Sequence, residues 1–261
     1  MSRNPFVHWL VWLVSIIVGT IRAEDDPRIV NGQNAQYGQF PYQAMLTITN
    51  PDRTSRCGGS LISERWILTA AHCIDEALVV EILLGTIYRN PTDDGSLRLV
   101  STLLIVHPKF NPDTLENDIG LIHLLESVEF TDRIAPIQLP SGHQTYQGRA
   151  AIASGFGRTK TDGSPAERLQ YAVMDVLSNA MCASAYPGII RSTNICAVGR
   201  NRSSTCNGDS GGPLRLENEN VLIGVTSFGS SMAGCEMNYP VGFTRVSEYI
   251  EFILLITGDL G

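Results

Sequence analysis

A histidine, an aspartate and a serine stand in three separated segments whose local patterns suit one kind of chemistry. His72 lies in Leu68-Thr69-Ala70-Ala71-His72-Cys73, and Asp118 in Asn117-Asp118-Ile119-Gly120-Leu121-Ile122. Ser210 lies in Cys206-Asn207-Gly208-Asp209-Ser210-Gly211-Gly212-Pro213. Each segment alone has a plainer reading. A histidine after an apolar run is usually structural, an acidic residue opening a strand is commonly solvated, and a glycine-flanked serine can be an ordinary loop. Together they form a set. A serine hydroxyl is a weak nucleophile until a base takes its proton. Imidazole is that base near neutral pH. A buried carboxylate then fixes the imidazole tautomer and stabilises the imidazolium. Glycines around the serine permit a tight turn whose N–H groups approach a ligand closely.

Groups so far apart in the chain need long-range structure to meet. From Ile29 onward, short β-rich runs alternate with breakers: Tyr42–Thr49, Gly59–Ile62, Trp66–Thr69, Val79–Leu84, Leu97–Val106, Ile119–Leu124, Ala150–Ala153, Gln170–Val176 and Val221–Phe228. Asn50-Pro51, Asp94-Gly95, Asn111-Pro112, Ser141-Gly142 and Asp162-Gly163 interrupt them. Many short strands at this spacing indicate a barrel or a sandwich. Near the end, Val246, Tyr249, Ile250, Ile253 and Leu254 share one helical face, which predicts a C-terminal helix packed on the β core.

The chain has 261 residues, 43% hydrophobic and 17% charged, enough for one large domain or two lobes. A formal net charge of -7 argues against nucleic acid, whose phosphates demand a basic face. Arg3 followed by the apolar run Phe6–Gly19 and the smaller residues up to Ala23 has the layout of a secretory signal peptide over 1–23. The run is short for a membrane anchor, which needs roughly 20 apolar residues. No later stretch is long and apolar enough to span, so no membrane anchor is expected in the mature chain. Six cysteines behind such a leader suit an oxidising compartment, and their spacing alone leaves about 15 pairings open. No C-x-x-C pair occurs and the histidines do not cluster with the cysteines, so no zinc is expected.

These motifs resemble the trypsin/chymotrypsin-fold serine proteases. The resemblance covers Ile29 to about Ile253 and rests on Ile29-Val30-Asn31-Gly32, Cys57-Gly58-Gly59-Ser60-Leu61-Ile62, the His72, Asp118 and Ser210 segments, and Phe243-Thr244-Arg245-Val246. The Phe228-Gly229…Cys235 stretch is most similar to arthropod chymotrypsin-like and collagenolytic members. The resemblance implies an all-β fold: two antiparallel six-stranded Greek-key β-barrels with a C-terminal α-helix. It implies a secreted, extracellular serine endopeptidase working through an acyl-enzyme, with His72, Asp118 and Ser210 catalytic and the Gly208 and Ser210 amides forming an oxyanion hole. Ser227 matches the serine that supports the buried aspartate. The implied organisation is a signal peptide over 1–23, an activation propeptide over 24–28 and a protease domain over 29–261. Cleavage after Arg28 by a trypsin-like protease would release the Ile29 ammonium to pair with Asp209. The disulfides implied are Cys57–Cys73, Cys182–Cys196 and Cys206–Cys235. Peptide or protein substrates and protein inhibitors are the implied partners of a monomer without cofactor.

Specificity follows from the same carry-over. Ser204 falls at the floor of the S1 pocket, where trypsin-like members carry Asp, so apolar P1 residues are expected. Ser227, Phe228 and Gly229 would form its wall, with Gly229 leaving the entrance open. Val241, at a position often occupied by Gly, would shorten it toward Leu, Met or smaller side chains. Asn201-Arg202-Ser203 is a glycosylation sequon. Segment 85–97 lacks the Glu-rich pattern of a calcium loop, so no metal is expected. The alternative, a catalytically inactive homologue acting as a secreted binding or regulatory protein, would ordinarily lack a triad residue or a motif glycine, and none is missing here.

Overall fold

The computed structural model describes residues 29–92, 95–230 and 234–258. The expected leader, the activation segment and Arg28 lie outside the described residues. In chain order the elements are β1 Gln33–Asn34, β2 Gln43–Thr49, β3 Thr54–Ser63, β4 Trp66–Thr69, α1 Ala71–Ile74, β5 Val79–Leu84, β6 Leu97–Ser101, β7 Leu104–Val106 and β8 Gly120–His123. There follow β9 Ala150–Gly155, β10 Gln170–Leu177, α2 Asn179–Ala185, β11 Asn194–Gly199, β12 Pro213–Leu216, β13 Leu222–Phe228, β14 Val241–Arg245 and α3 Ile250–Thr257.

Two antiparallel sheets divide the strands. The first runs β6-β5-β2-β3-β4-β8-β7, and its two edge strands are consecutive in the chain. At the bend between them, the Ser101 hydroxyl donates to the His123 carbonyl (2.7 Å) and the His123 amide donates to the Leu103 carbonyl (3.0 Å). One bent strand thus joins both edges and closes a barrel without a free edge. Counted as one, β6 and β7 make this barrel six-stranded. The second sheet runs β1-β10-β11-β14-β13-β12-β9, and β9 pairs again with β10 to close it. Its seventh member, the two-residue β1, docks on β10 from outside the ring. The all-β expectation and the closing helix both hold.

Side-chain alternation explains why these runs are strands. β10 buries every second residue along its whole length, the two-residue period of a half-buried strand. The barrel interiors fill with aliphatic side chains. Leu46, Leu61, Ile67, Ile82 and Ile122 pack in the first, and Met174, Ile195, Leu214 and Phe243 in the second. Each such residue contributes about 1.5–3 kcal/mol through removal from water.

The helical face read from the sequence needs correction. Val246–Glu248 is a 3₁₀ turn, so the phase shifts before α3 begins. Ile253 is buried, whereas Leu254 is 42% exposed. The sequence reading also passed over α2, β1, β11, β12 and β14. Asn194–Gly199 shows no clean alternation in burial because nearly all of it is interior. β12 is only four residues long.

Candidate active site

Strand register sets the first two groups. β4 and β8 pair antiparallel, with Thr69 opposite Gly120. His72 follows Thr69 by three residues and Asp118 precedes Gly120 by two, so both emerge at the same end of the pair. The chain turns at Ala70 into the single-turn α1, which carries His72. Asp118 is fully buried. Its Oδ1 accepts the His72 backbone N–H (2.9 Å), and its Oδ2 accepts from His72 Nδ1 (2.7 Å) and from the Ser227 hydroxyl (2.5 Å). An ionised carboxylate has no proton to give, so Nδ1 carries the hydrogen and neutral imidazole keeps its lone pair on Nε2. Asn117, at φ 57°, shapes the turn into Asp118 and is held from both sides. Its side chain donates to the Lys109 carbonyl (2.7 Å) and accepts from the Tyr249 hydroxyl (3.1 Å).

The Ser210 loop reaches the same place by two connections. The Gly58 amide donates to the Ser210 carbonyl (2.7 Å), and neighbouring Cys57 is bonded to Cys73, next to His72. On the other side, the Gly211 amide donates to the Thr226 carbonyl (2.8 Å), next to Ser227. Gly211 has a φ of 75°, and a Cβ there would collide with the Thr69 hydroxyl and the Gly58 carbonyl. Only glycine permits this approach of the loop to β3 and β4. Among the described residues no hydrogen bond joins the His72 ring to the Ser210 hydroxyl. His72 Nε2 sits 3.8 Å from Cys73 Sγ. Such contacts often tighten only once substrate is bound.

The loop also presents donors. The Asp209 amide is tied to the Cys206 carbonyl (3.0 Å). Among the described residues, the flanking Gly208 and Ser210 amides have no acceptor within the protein. Two unpaired N–H groups beside a serine hydroxyl can stabilise a developing oxyanion.

Asp209 points the other way, into the protein, and is fully buried. Its Oδ1 accepts from the Gly157 amide (2.8 Å) and its Oδ2 from the Cys206 amide (2.9 Å). Burial pushes its carboxyl from 3.8 up to about 6, against the lowering effect of those two amides. A Cβ on Gly155 or Gly157 would run into the carboxylate, so glycine is required at both. Ile29 is fully buried. The segment it begins docks on residues 202–204: the Ser204 amide donates to the Val30 carbonyl (3.3 Å) and Asn31 Nδ2 to the Arg202 carbonyl (3.2 Å).

A cavity of about 220 Å³ opens beside Ser210 and is lined by Ser204, Ser227, Phe228, Gly229 and Val241. The β13–β14 register decides which residue faces it. Gly242 lies under the Phe228 ring, where any Cβ would clash, while Val241 lines the cavity. Tyr186 braces the wall from behind. Its hydroxyl donates to the Pro240 carbonyl (2.5 Å) and its ring meets Phe228 edge-on at 5.3 Å. Burial and Tyr239 raise its phenol to about 12. Sequence reasoning missed Tyr186, Gly155 and Gly157, as none lies in a motif that carries chemistry.

The expected disulfides are the ones present: Cys57–Cys73, Cys182–Cys196 and Cys206–Cys235. Cys57, His72 and Cys73 bring ligand-type atoms within 4.8 Å of one another. Both sulfurs are consumed in a disulfide, so they offer no thiolate to a metal.

Comparison with known proteins bears on the family and the fold. The family model described as Trypsin matches residues 29–253. Collagenase from Hypoderma lineatum is 46% identical over 236 residues, covering 88% of each chain. Brachyurin from Leptuca pugilator is 38% identical over 231 residues, covering 88% of this chain and 99% of its own. Chymotrypsin-C from Bos taurus is 38% identical over 87% of each. A solved HL collagenase structure superposes with a TM-score of 0.81 at 45% identity, covering 88% of this chain and 99% of that one.

Proposed function

The chain belongs to the trypsin family of serine endopeptidases, and on that premise we propose that it cleaves peptide bonds with Ser210 as nucleophile, His72 as proton carrier and Asp118 as the group that orients His72. The arrangement of Asp118 carries this reading: one buried carboxylate accepts from both the backbone and the ring of His72. Ser210 Oγ attacks the scissile carbonyl carbon while its proton passes to His72 Nε2. The carbonyl oxygen becomes an oxyanion facing the Gly208 and Ser210 amides, each contributing about 3 kcal/mol. The tetrahedral intermediate collapses, the C–N bond breaks, and the imidazolium gives its proton to the leaving amine. Water then attacks the acyl-Ser210 ester with His72 taking its proton, the acyl C–Oγ bond breaks as His72 returns that proton to Ser210 Oγ, and the acid product leaves.

The finer reading concerns activation, specificity and location. The chain is made as a secreted zymogen, cut after Arg28 by a trypsin-like protease. The freed Ile29 ammonium supplies the counter-charge that buried Asp209 lacks among its described partners. The mature form acts outside the cell as a monomer subject to protein inhibitors, and three disulfides suit that setting. A floor of neutral Ser204, narrowed by Val241, favours apolar P1 residues of Leu or Met size. The test is covalent labelling of the Arg28-cleaved chain by a fluorophosphonate, alongside hydrolysis of P1 Phe, Leu, Ala and Arg peptides. Labelling at Ser210 with preference for Leu is expected. No labelling would defeat the enzymatic roles, and a strong Arg preference would defeat the specificity.

A further inference from the structure

The sequon Asn201-Arg202-Ser203 has no part in the catalytic reading, yet its setting is specific. Arg200, Asn201 and Arg202 form an exposed 3₁₀ turn between β11 and the pocket floor at Ser204. Asn201 and Arg202 both hold positive φ, 55° and 60°, and both are exposed. Among the described residues the Asn201 side chain makes no hydrogen bond. The other Asn-x-Ser/Thr match, Asn90-Pro91-Thr92, has proline in the middle position and is no acceptor.

The flanks of the turn are anchored. Arg200 forks onto the Asp175 carboxylate (2.7 and 3.1 Å). The Ser203 hydroxyl, 3% exposed as a residue, donates to the Arg200 carbonyl (2.7 Å). That hydroxyl is part of the acceptor signal and is sequestered in the folded protein. The signal is therefore readable only before folding, while the chain enters a secretory lumen.

The same turn is a hazard. Activation after Arg28 requires an Arg-directed protease, and the Arg200–Asn201 bond joins two exposed residues in a turn of the kind such enzymes nick. A cut there would separate β11 from Ser204 and release the Arg202 and Ser204 contacts that seat residues 30 and 31.

We propose that Asn201 carries an N-linked glycan and that this glycan shields the turn from the protease that activates the chain. The inference rests on the secretory, Arg28-processed reading above. In the attachment step, Asn201 Nδ2 bonds to the anomeric carbon of a lipid-diphosphate-linked oligosaccharide. The bond from that carbon to the diphosphate breaks, the lipid diphosphate leaves with the electron pair, and the amide proton goes to base.

The test uses the full chain expressed in insect cells. Wild type, Asn201→Gln, and wild type treated with peptide N-glycosidase F are compared by intact mass and by timed trypsin digestion, with sequencing of new termini. The proposal expects a glycan mass on secreted wild type that the glycosidase removes and Asn201→Gln lacks. It also expects nicking after Arg200 to run about tenfold faster in both glycan-free samples. Secreted wild type without glycan overturns the site while leaving the secretory reading intact. A glycan with equal nicking rates overturns the shield. A chain retained in the cytosol with its leader uncut overturns the secretory reading and this inference with it.

Discussion

The Thr244 hydroxyl, from the second barrel, donates to the main-chain carbonyl of Asp118 in the first across 2.6 Å. Thr244 lies on β14, and the turn it grips carries the carboxylate that orients His72. Together with Tyr249 on Asn117, it ties the C-terminal segment to the Asp118 turn across the barrel interface. Thr244→Val keeps the shape and removes the donor. The expected outcome is a loss of about 1–2 kcal/mol in unfolding free energy and a fall in kcat with KM held, whereas Thr244→Ser retains both. Denaturant titration and steady-state kinetics check this together; an unchanged kcat in the valine variant would refute the link.

Ser210→Ala removes the proposed nucleophile without disturbing the backbone bonds that hold its loop. Turnover should drop roughly a million-fold while substrate affinity and thermal stability stay near wild type. Single-turnover assays and a melting curve give the comparison. Residual activity within about a hundredfold of wild type would point to a different nucleophile.

Val241 and Gly229 both line the cavity beside Ser210, and in the proposed reading the Val241 methyls shorten it. In Val241→Gly the ratio of kcat/KM for P1 Phe over P1 Leu should rise by about tenfold or more, the scale a few methyl groups command in an apolar pocket. A peptide panel reads it directly. A ratio that falls or stays level would mean that another residue limits the pocket.

Asp209 makes the uncleaved chain sensitive to pH. Its folded carboxyl, at about 6, lies above the unfolded value of 3.8, so folding favours the protonated form. The buried state therefore meets no penalty below about pH 3.8. It loses stability as pH rises through about 6, by about 3 kcal/mol in all. Asp209→Asn has no such proton and should show a flatter profile over the same window. Unfolding of both uncleaved proteins between pH 4 and 7, on a Ser210→Ala background, tests the sign. Parallel curves would contradict it.

Much of the site was legible because its chemistry is carried by short contiguous motifs. The glycines around Ser210 announce a tight turn, and its positive-φ members, Gly208 at 101° and Gly211 at 75°, are where that turn needs them. Strands such as Trp66–Thr69 and Val79–Leu84 stood out because short runs of β-branched, aromatic and aliphatic residues bounded by turns are local signals. α3 was misphased because a 3₁₀ turn intervenes, and no periodicity rule sees a change of pitch.

From the residues alone came the identity and order of the candidate reactive groups, the even cysteine count and the many short strand runs that indicate a barrel or a sandwich. Long-range register decided the rest. Pairing of β4 with β8 brings His72 to Asp118, and pairing of β13 with β14 turns Val241 rather than Gly242 into the pocket. The reason is physical: a one-residue slip along a strand reverses which face each side chain occupies, and that register is chosen by packing across the whole barrel rather than by any neighbour in sequence.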